Sequence, residues 1–233
     1  MGLRANMAMW AGNQAARRTA PAVAARGAQQ FVDKAIDGFT GFPGAREVAR
    51  KHLERRRDVD RAIRDVIEQH VRLAGVQGFV ANVGGVVTMP VAIPANIAGV
   101  AVLHLRMSAA IAHLRGYDIA DPRVRTAALM TLLGRDGAEP ISREKDLPAS
   151  PHEVAVSRGR VEPVTVERVA ARVAQELAAR IGGKHATLML AKRVPILGGA
   201  VSAGVDAVST WSVGRYANSQ FPTHIMVEPE RRR

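Results

Sequence analysis

The stretch ANVGGVVTMPVAIPANIAGVAV, residues 81–102, lies inside a run, residues 73–105, that contains no Lys, Arg, Asp or Glu. A membrane-spanning helix needs about 20 apolar residues, so the run is too long for one straight span and too short for two. Pro90 and Pro94 each remove a backbone donor and clash with the preceding turn. They therefore predict two helices, joined near these prolines, that fold back on each other as a Gly/Pro-rich apolar hairpin.

The two arms of this hairpin are predicted over residues 73–89 and from residue 95 onward. Their sequences resemble each other, as ANVGGVV at 81–87 and ANIAGVA at 95–101. Small residues allow helices to approach closely, both in bilayers and in protein cores. The candidate hairpin residues are Asn82, Gly84, Gly85, Pro90, Pro94, Asn96 and Gly99.

Two environments for the hairpin remain open. Arg64 and Arg72 precede the run and Arg106 and Arg115 follow it, which is typical of a re-entrant loop dipping into the membrane from the cytoplasmic side. Against this, the glycines and amides make the run only mildly hydrophobic, and the mean hydropathy of the chain is −0.03. A close-packed hairpin in a soluble core would have the same pattern.

The charge balance favours anionic partners. The chain of 233 residues carries 33 Lys and Arg against 21 Asp and Glu, a formal net charge of +12. Such an excess suits an anionic membrane surface, nucleic acid or an acidic protein. Aromatic residues are only 4% of the chain and scattered, which disfavours nucleic acid because single-strand binders use aromatic stacking platforms. The absence of cysteine excludes disulfides and thiolate metal sites.

Helical periodicity dominates the rest of the chain, and the predicted fold class is all-α. Residues 45–71 are expected to form one helix, in which the arginines at 55–57 lie on a solvated face. Gly116 is expected to end the helix that follows the apolar run, in a left-handed cap. Asp121 and Pro122 are predicted to start another helix, closed by Gly134.

The domain organisation follows from changes in composition. Residues 1–30 form a basic Ala/Arg-rich arm, which is expected either to lie on an anionic surface as an amphipathic helix or to fray. A helical domain is predicted over residues 31–217. Within it, residues 135–163 are rich in proline and are expected to form a long exposed insertion, whereas residues 194–214 form a second apolar stretch led by proline. Residues 218–233 are expected to be a C-terminal tail.

A search for chemistry is mostly negative. There is no phosphate-binding loop, dinucleotide-binding glycine pattern or GxSxG elbow. His152 and Glu153 begin like a zinc-protease helix, but Val156 replaces the second histidine. His104 and His113 lie on opposite sides of one helix and do not suffice to hold a metal. The sequence therefore predicts no catalytic residue, no cofactor and no metal site.

Asp206 is the most informative single residue, because it lies in an otherwise uncharged stretch over residues 194–214. A buried carboxylate is costly unless it is paired, protonated or facing a polar cavity. Arg106 adjoins the other apolar helix, so a pair between Asp206 and Arg106 is predicted as a clamp between helices.

Two blocks carry a family resemblance. Residues 78–118, GFVANVGGVVTMPVAIPANIAGVAVLHLRMSAAIAHLRGYD, and 192–217, KRVPILGGAVSAGVDAVSTWSVGRYA, resemble the EcsC protein family of bacteria. The resemblance extends over residues 30–220. The family is named for a protein encoded beside the ATPase and permease subunits of an ABC transporter, and the resemblance implies no specific biochemical activity. It carries over no catalytic residue.

The expected function is therefore that of a non-enzymatic, membrane-associated accessory protein linked to transport or envelope maintenance. Its expected partners are an anionic membrane surface and a transporter or other membrane protein, and its expected location is the cytoplasmic face of the cell membrane. The alternatives are a soluble helical carrier of lipid in the cytoplasm and, third, a hydrolase. The oligomeric state is left open.

Overall fold

The computed structural model describes residues 30–83, 89–134, 150–157, 169–173 and 195–224, and gives the backbone alone for 77–83, 89–98 and 195–203. Within these residues the protein is all-α apart from one small β-hairpin. The elements are α1 (30–37), β1 (Gly38–Phe39), β2 (Phe42–Pro43), α2 (Ala45–Arg56), α3 (Val59–Val83), α4 (Met89–Leu114), α5 (Pro122–Met130) with a 3-10 turn (Thr131–Leu133), α6 (Pro151–Val156), α7 (169–173) and α8 (Pro195–Gln220).

The three long helices α3, α4 and α8 pack side by side. Helices α3 and α4 are antiparallel, because His70 contacts Arg106 at 3.1 Å while Asp60, earlier on α3, contacts Arg115, later on α4, at 2.8 Å. Helices α4 and α8 are parallel, because His104 contacts Thr210 and, eleven residues after His104 and eight after Thr210, Arg115 contacts Asn218. The end of α3 and the starts of α4 and α8 therefore lie at the same end of the bundle.

The predicted break in the apolar run lies at a different place. Helix α3 continues to Val83 and α4 already begins at Met89, so Pro90 and Pro94 lie inside the first two turns of α4. Pro90 costs no hydrogen bond there, because the first N–H groups of a helix have no partner in the helix. Pro94 removes one bond in the second turn. The prediction of two apolar helices is confirmed, but the junction at the prolines is wrong.

The predicted single helix over residues 45–71 is also wrong, because it is divided into α2 and α3. Arg57 adopts a left-handed conformation with φ of +52° and ends α2. The carboxylate of Asp58 then accepts a hydrogen bond from the backbone N–H of Arg61 at 2.7 Å, as an N-cap residue does. The chain reverses direction between α2 and α3, so Arg56 at the end of α2 lies beside Asp65 on α3 and contacts it.

Helix α2 lies across the charged half of the α3–α4 hairpin. Near its start Arg46 reaches Asp118, beyond the end of α4, and near its end His52 contacts Gln69 on α3. The preceding β-hairpin turns at Gly41, which has φ of +79° and belongs to the two-residue loop between Phe39 and Phe42. This hairpin brings Phe42 over the middle of α4.

The predicted caps around α5 are confirmed. Gly116 has φ of +92° and lies in the turn that ends α4. The Asp121 carboxylate accepts a hydrogen bond from the backbone N–H of Arg123 at 2.8 Å, with Pro122 in the first turn. Gly134, with φ of +66°, closes the 3-10 turn.

Part of the expected exposed insertion is folded. Residues 151–156 form α6, in which Ser150 caps the helix by accepting from the backbone N–H of Glu153 at 3.2 Å. Pro151, Val154 and Ala155 are buried, and α6 packs on α5. The sequence Ser-Pro-His-Glu is a capping pattern that explains this helix. The remainder of residues 135–163 lies outside the described residues.

Part of the expected C-terminal tail is folded as well. Helix α8 extends to Gln220, and Phe221 is fully buried. The Tyr117 ring lies 5.2 Å from the Phe221 ring and 4.8 Å from the His224 ring, and the backbone N–H of His224 donates to the Arg115 carbonyl at 2.8 Å. These contacts hold the end of α8 against the end of α4. Residues 1–29, which include nearly all of the predicted basic arm, lie outside the description.

Candidate functional site

A buried arginine lies at the centre of the bundle. Arg106 on α4 is 2% exposed, and its guanidinium carbon lies 3.8 Å from the centroid of the Phe42 ring. Its Nε–H donates to Nε2 of His70 at 3.1 Å, and its Nη1 donates to the Pro43 carbonyl at 3.3 Å. The guanidinium thus connects α4 to α3 and to the β-hairpin that precedes α2.

The partners of His70 fix its protonation. A guanidinium can only donate, so Nε2 of His70 accepts and the ring proton is on Nδ1. Nδ1 lies 2.7 Å from the Val66 carbonyl, which accepts that proton. Burial, followed by the charge of Arg106, lowers the pKa of His70 to about 3. His70 is therefore a neutral acceptor for Arg106.

No carboxylate among the described residues forms an ion pair with Arg106. Burial lowers the pKa of Arg106 to about 10, so the side chain is still charged at neutral pH. A buried cation is costly unless hydrogen bonds and polarisable groups replace water. Here the neutral His70 ring, the Pro43 carbonyl and the Phe42 face provide that replacement.

The predicted clamp between Asp206 and Arg106 is wrong, because Arg106 has these other partners. The parallel register of α4 and α8 gives the reason. His104 contacts Thr210, Arg106 lies two residues beyond His104, and Asp206 lies four residues before Thr210. Six residues at 1.5 Å each place the two side chains about 9 Å apart along the bundle axis.

A second buried contact joins α4 to α8. His104 lies 2.9 Å from the Thr210 hydroxyl, whose single proton is donated to the Asp206 carbonyl at 2.7 Å. Nε2 of His104 is therefore the donor to Thr210. Because the hydroxyl proton points to a backbone carbonyl and not to the imidazole, this pair is not arranged for nucleophilic catalysis.

A third cluster clamps α2 to α3 at the surface. The Asp65 carboxylate accepts from Nε of Arg56 at 2.7 Å and from Nη2 of Arg55 at 2.5 Å. The Arg56 hydrogen bond is the largest of the effects that hold the pKa of Asp65 well below its usual range. Arg55 and Arg56, which were predicted to lie on a solvated face, therefore also form a structural contact with Asp65.

Replacing Asp65 with asparagine is expected to lower the melting temperature at pH 7. The lowered pKa of Asp65 means that its contribution to stability is fully present above the unfolded-state pKa, near 4, and is lost as the pH falls below it. Thermal melts at several pH values should show the gap between wild type and Asp65→Asn closing below pH about 4. Glu68→Gln, one turn along α3, serves as the control; an equal loss in both variants would contradict the clamp.

The uncharged segments of three helices meet at one end of the molecule. Residues 73–83 end α3, residues 89–103 begin α4 and residues 195–205 begin α8, and none of these residues is Lys, Arg, Asp or Glu. Because of the helix directions, all three segments lie at the same end of the bundle. We call this the uncharged end. Asp206 lies at its border on α8 and is half-buried.

Exposed apolar side chains surround the border of the uncharged end. Val76 on α3 is 64% exposed, and Val208 and Trp211 on α8 are 68% and 52% exposed. Gly214 contacts Ile67 closely, which places Val208 and Leu73 at a similar height on these antiparallel helices. Apolar side chains therefore reach solvent at this border.

The hairpin residues singled out from the sequence are distributed along this end. Asn82 lies in the last turn of α3, while Pro90, Pro94, Asn96 and Gly99 lie in the first half of α4. Gly84 and Gly85 lie outside the described residues, as do the side-chain contacts of Asn82 and Asn96. Among the helices that the structure describes, none combines the length and the apolar character needed to cross a bilayer.

Comparison with protein families gives one result, which covers the three long helices, α2 and the C-terminal contacts. The model of the EcsC protein family matches residues 45–223. The chain belongs to the EcsC protein family. Comparison with curated proteins and with solved structures returns no match. The EcsC match begins at the first residue of α2 and ends at residue 223, so the family unit contains residues 218–223 of the predicted tail.

The sequence did not reveal the residues that contact Arg106. His70 and Pro43 are 36 and 63 residues away from Arg106, and no local pattern connects them. Trp211 was also missed as a border residue, although an aromatic residue beside Arg215 at the end of an apolar stretch is a recognisable interfacial pattern.

Proposed function

We propose that this EcsC protein is a non-enzymatic accessory protein that associates with the cytoplasmic face of the cell membrane through its uncharged end, in support of transport or envelope maintenance. The observation that carries the proposal is the meeting of three uncharged helix segments at one end of the bundle. A globular protein with no partner at that end would be expected to place charges there, since large exposed apolar patches mark interaction sites.

The charge of the chain supports an anionic membrane surface as the partner. A net charge of +12 draws the protein to anionic lipid, and the uncharged end then enters the apolar region. Binding should consequently rise with the fraction of anionic lipid and weaken with salt.

Val76→Asp and Val208→Asp are each expected to weaken binding to phosphatidylglycerol-containing vesicles about tenfold, because an aspartate in the bilayer is disfavoured by more than 1 kcal/mol. Both positions are largely exposed, so the fold should be retained. Vesicle flotation measures the bound fraction. Val156→Asp is the matched control, since Val156 is 41% exposed on α6, near the opposite end.

Two outcomes would contradict this function. If the wild-type chain does not float with anionic vesicles, the membrane proposal is wrong. If the protein does not bind vesicles but copurifies with stoichiometric lipid, the lipid-carrier function replaces the membrane-associated one. A transporter partner would be tested separately, by crosslinking at Val76 in native membranes.

A further inference from the structure

Four exposed side chains, two arginines and two aromatic residues, lie near the border of the uncharged end. Trp211 follows Thr210, which contacts His104, and Arg106 is two residues beyond His104, so Trp211 and Arg106 lie within about 2 Å of the same height. Arg72 is two residues beyond His70, the partner of Arg106, or about 3 Å along the axis.

The other two members are an arginine and a phenylalanine. Arg215 is four residues after Trp211, and its guanidinium carbon lies 5.1 Å from the centroid of the Trp211 ring. Phe39 is 54% exposed and stacks at 4.9 Å on Phe42, whose ring covers Arg106. Arg72, Trp211 and Arg215 therefore span about 8 Å of the bundle axis, and Phe39 is joined to Arg106 through Phe42. We call these four residues, Phe39, Arg72, Trp211 and Arg215, the border belt.

The composition of the border belt matches one boundary of a bilayer. Aromatic rings of the Trp and Tyr type concentrate at the headgroup level, and arginines there contact phosphates. The border belt contains two exposed aromatic residues and two exposed arginines. Arg215 beside the Trp211 ring is held in a position from which its guanidinium can bind a phosphate oxygen while the ring faces the acyl chains.

The length of the uncharged end indicates how deeply it would enter a bilayer. From Leu73 to Val83, α3 continues about 15 Å beyond the border belt, and α4 begins about 22 Å before the height of His104. Half of a bilayer is about 15 Å of hydrocarbon, or about 20 to 22 Å with its headgroups. The uncharged end is therefore as long as one leaflet.

We propose, building on the membrane association inferred above, that the border belt binds the phosphates of anionic phospholipids and that the protein is monotopic, with the uncharged end filling one leaflet. The occupant of the belt is the headgroup layer of an anionic bilayer. The arginines set the preference for anionic lipid, and the aromatic residues set the depth.

Flotation with phosphatidylglycerol-containing vesicles at an ionic strength of about 0.1 M, where the screening length is about 10 Å, tests the arginines. Arg72→Gln and Arg215→Gln are each expected to weaken binding about fivefold. Arg61→Gln is the matched control, because Arg61 is exposed on the same helix as Arg72 but about 16 Å further from the uncharged end, beyond the screening length. Equal losses in Arg61→Gln and Arg72→Gln would overturn the belt while leaving the membrane function standing.

Fluorescence quenching tests the depth independently. The chain has two tryptophans, so Trp10→Phe leaves Trp211 as the only reporter. Trp211 should be quenched most by lipids brominated near the headgroup and least by lipids brominated at the acyl terminus. Stronger quenching from the acyl terminus, or no quenching in vesicle-bound protein, would overturn the belt. A chain that does not bind vesicles at all would overturn both the belt and the membrane function.

Discussion

Replacing Arg106 with alanine is expected to lower the free energy of unfolding by about 4 kcal/mol. The substitution removes a large, fully buried side chain and leaves the His70 Nε2 and the Pro43 carbonyl without their donor. Large-to-alanine substitutions in cores cost about 2 to 5 kcal/mol, and each stranded acceptor adds about 1 to 3 kcal/mol. The loss of a desolvated cation offsets part of that sum. Urea unfolding followed by circular dichroism gives the value.

A double-mutant cycle identifies the partner of Arg106. Combined with His70→Ala, Arg106→Ala should cost clearly less than the sum of the single variants, with a coupling of about 1 kcal/mol or more. Combined with Asp206→Ala, the effects should add within about 0.5 kcal/mol, since the two residues lie about 9 Å apart along the axis. Strong coupling to Asp206 and none to His70 would contradict the observed register of α4 and α8.

Mild acid is expected to destabilise the protein through His70, by about 2 to 3 kcal/mol between pH 6.5 and 4.5. His70 has a pKa of about 3 in the folded protein and about 6.5 when unfolded, so unfolding takes up a proton throughout this interval. Each pH unit in it lowers the free energy of unfolding by up to about 1.4 kcal/mol. His70 stays neutral in the folded protein down to about pH 3, so its contribution to stability is full above pH 6.5 and falls as the pH drops below it.

Chemical unfolding at a series of pH values measures this slope. His70→Gln retains an acceptor for Arg106 but does not titrate, so its free energy of unfolding should fall less steeply between pH 6.5 and 4.5. His152→Gln is the control, because His152 is half-buried on α6 and its hydrogen bond within the described residues is to the Tyr117 hydroxyl. An unchanged slope in His70→Gln would mean that His70 is accessible to protons in the folded state.

The features that could be predicted from sequence are those that local chemistry determines. Gly116 and Asp121 act as caps because a left-handed residue and a side-chain acceptor are needed at those helix ends, and both residue types are recognisable. The long apolar segments give the helices α3, α4 and α8 for a similar reason. Ser150 and Asp58 are caps of the same kind that were overlooked among prolines and charges.

The features that could not be predicted depend on the register between distant helices. The pairing of Arg106 with Asp206 was chemically reasonable, since a cation and a carboxylate lay on two apolar helices. The two residues do not meet because they are offset along the bundle axis, and no local sequence pattern encodes that offset. Phe42 likewise covers Arg106 only because the β-hairpin and α2 cross the bundle. The position of the uncharged end follows from helix direction, which the loop lengths alone did not give.

The directions of the three long helices also affect the electrostatics of the uncharged end. Helices α4 and α8 start there and α3 finishes there. Each N-terminus carries about +0.5 of an elementary charge from its aligned peptide dipoles and each C-terminus about −0.5, so two starts and one finish leave about +0.5. The helix segments described at this end have no charged side chain, so their backbone alone gives them a positive potential.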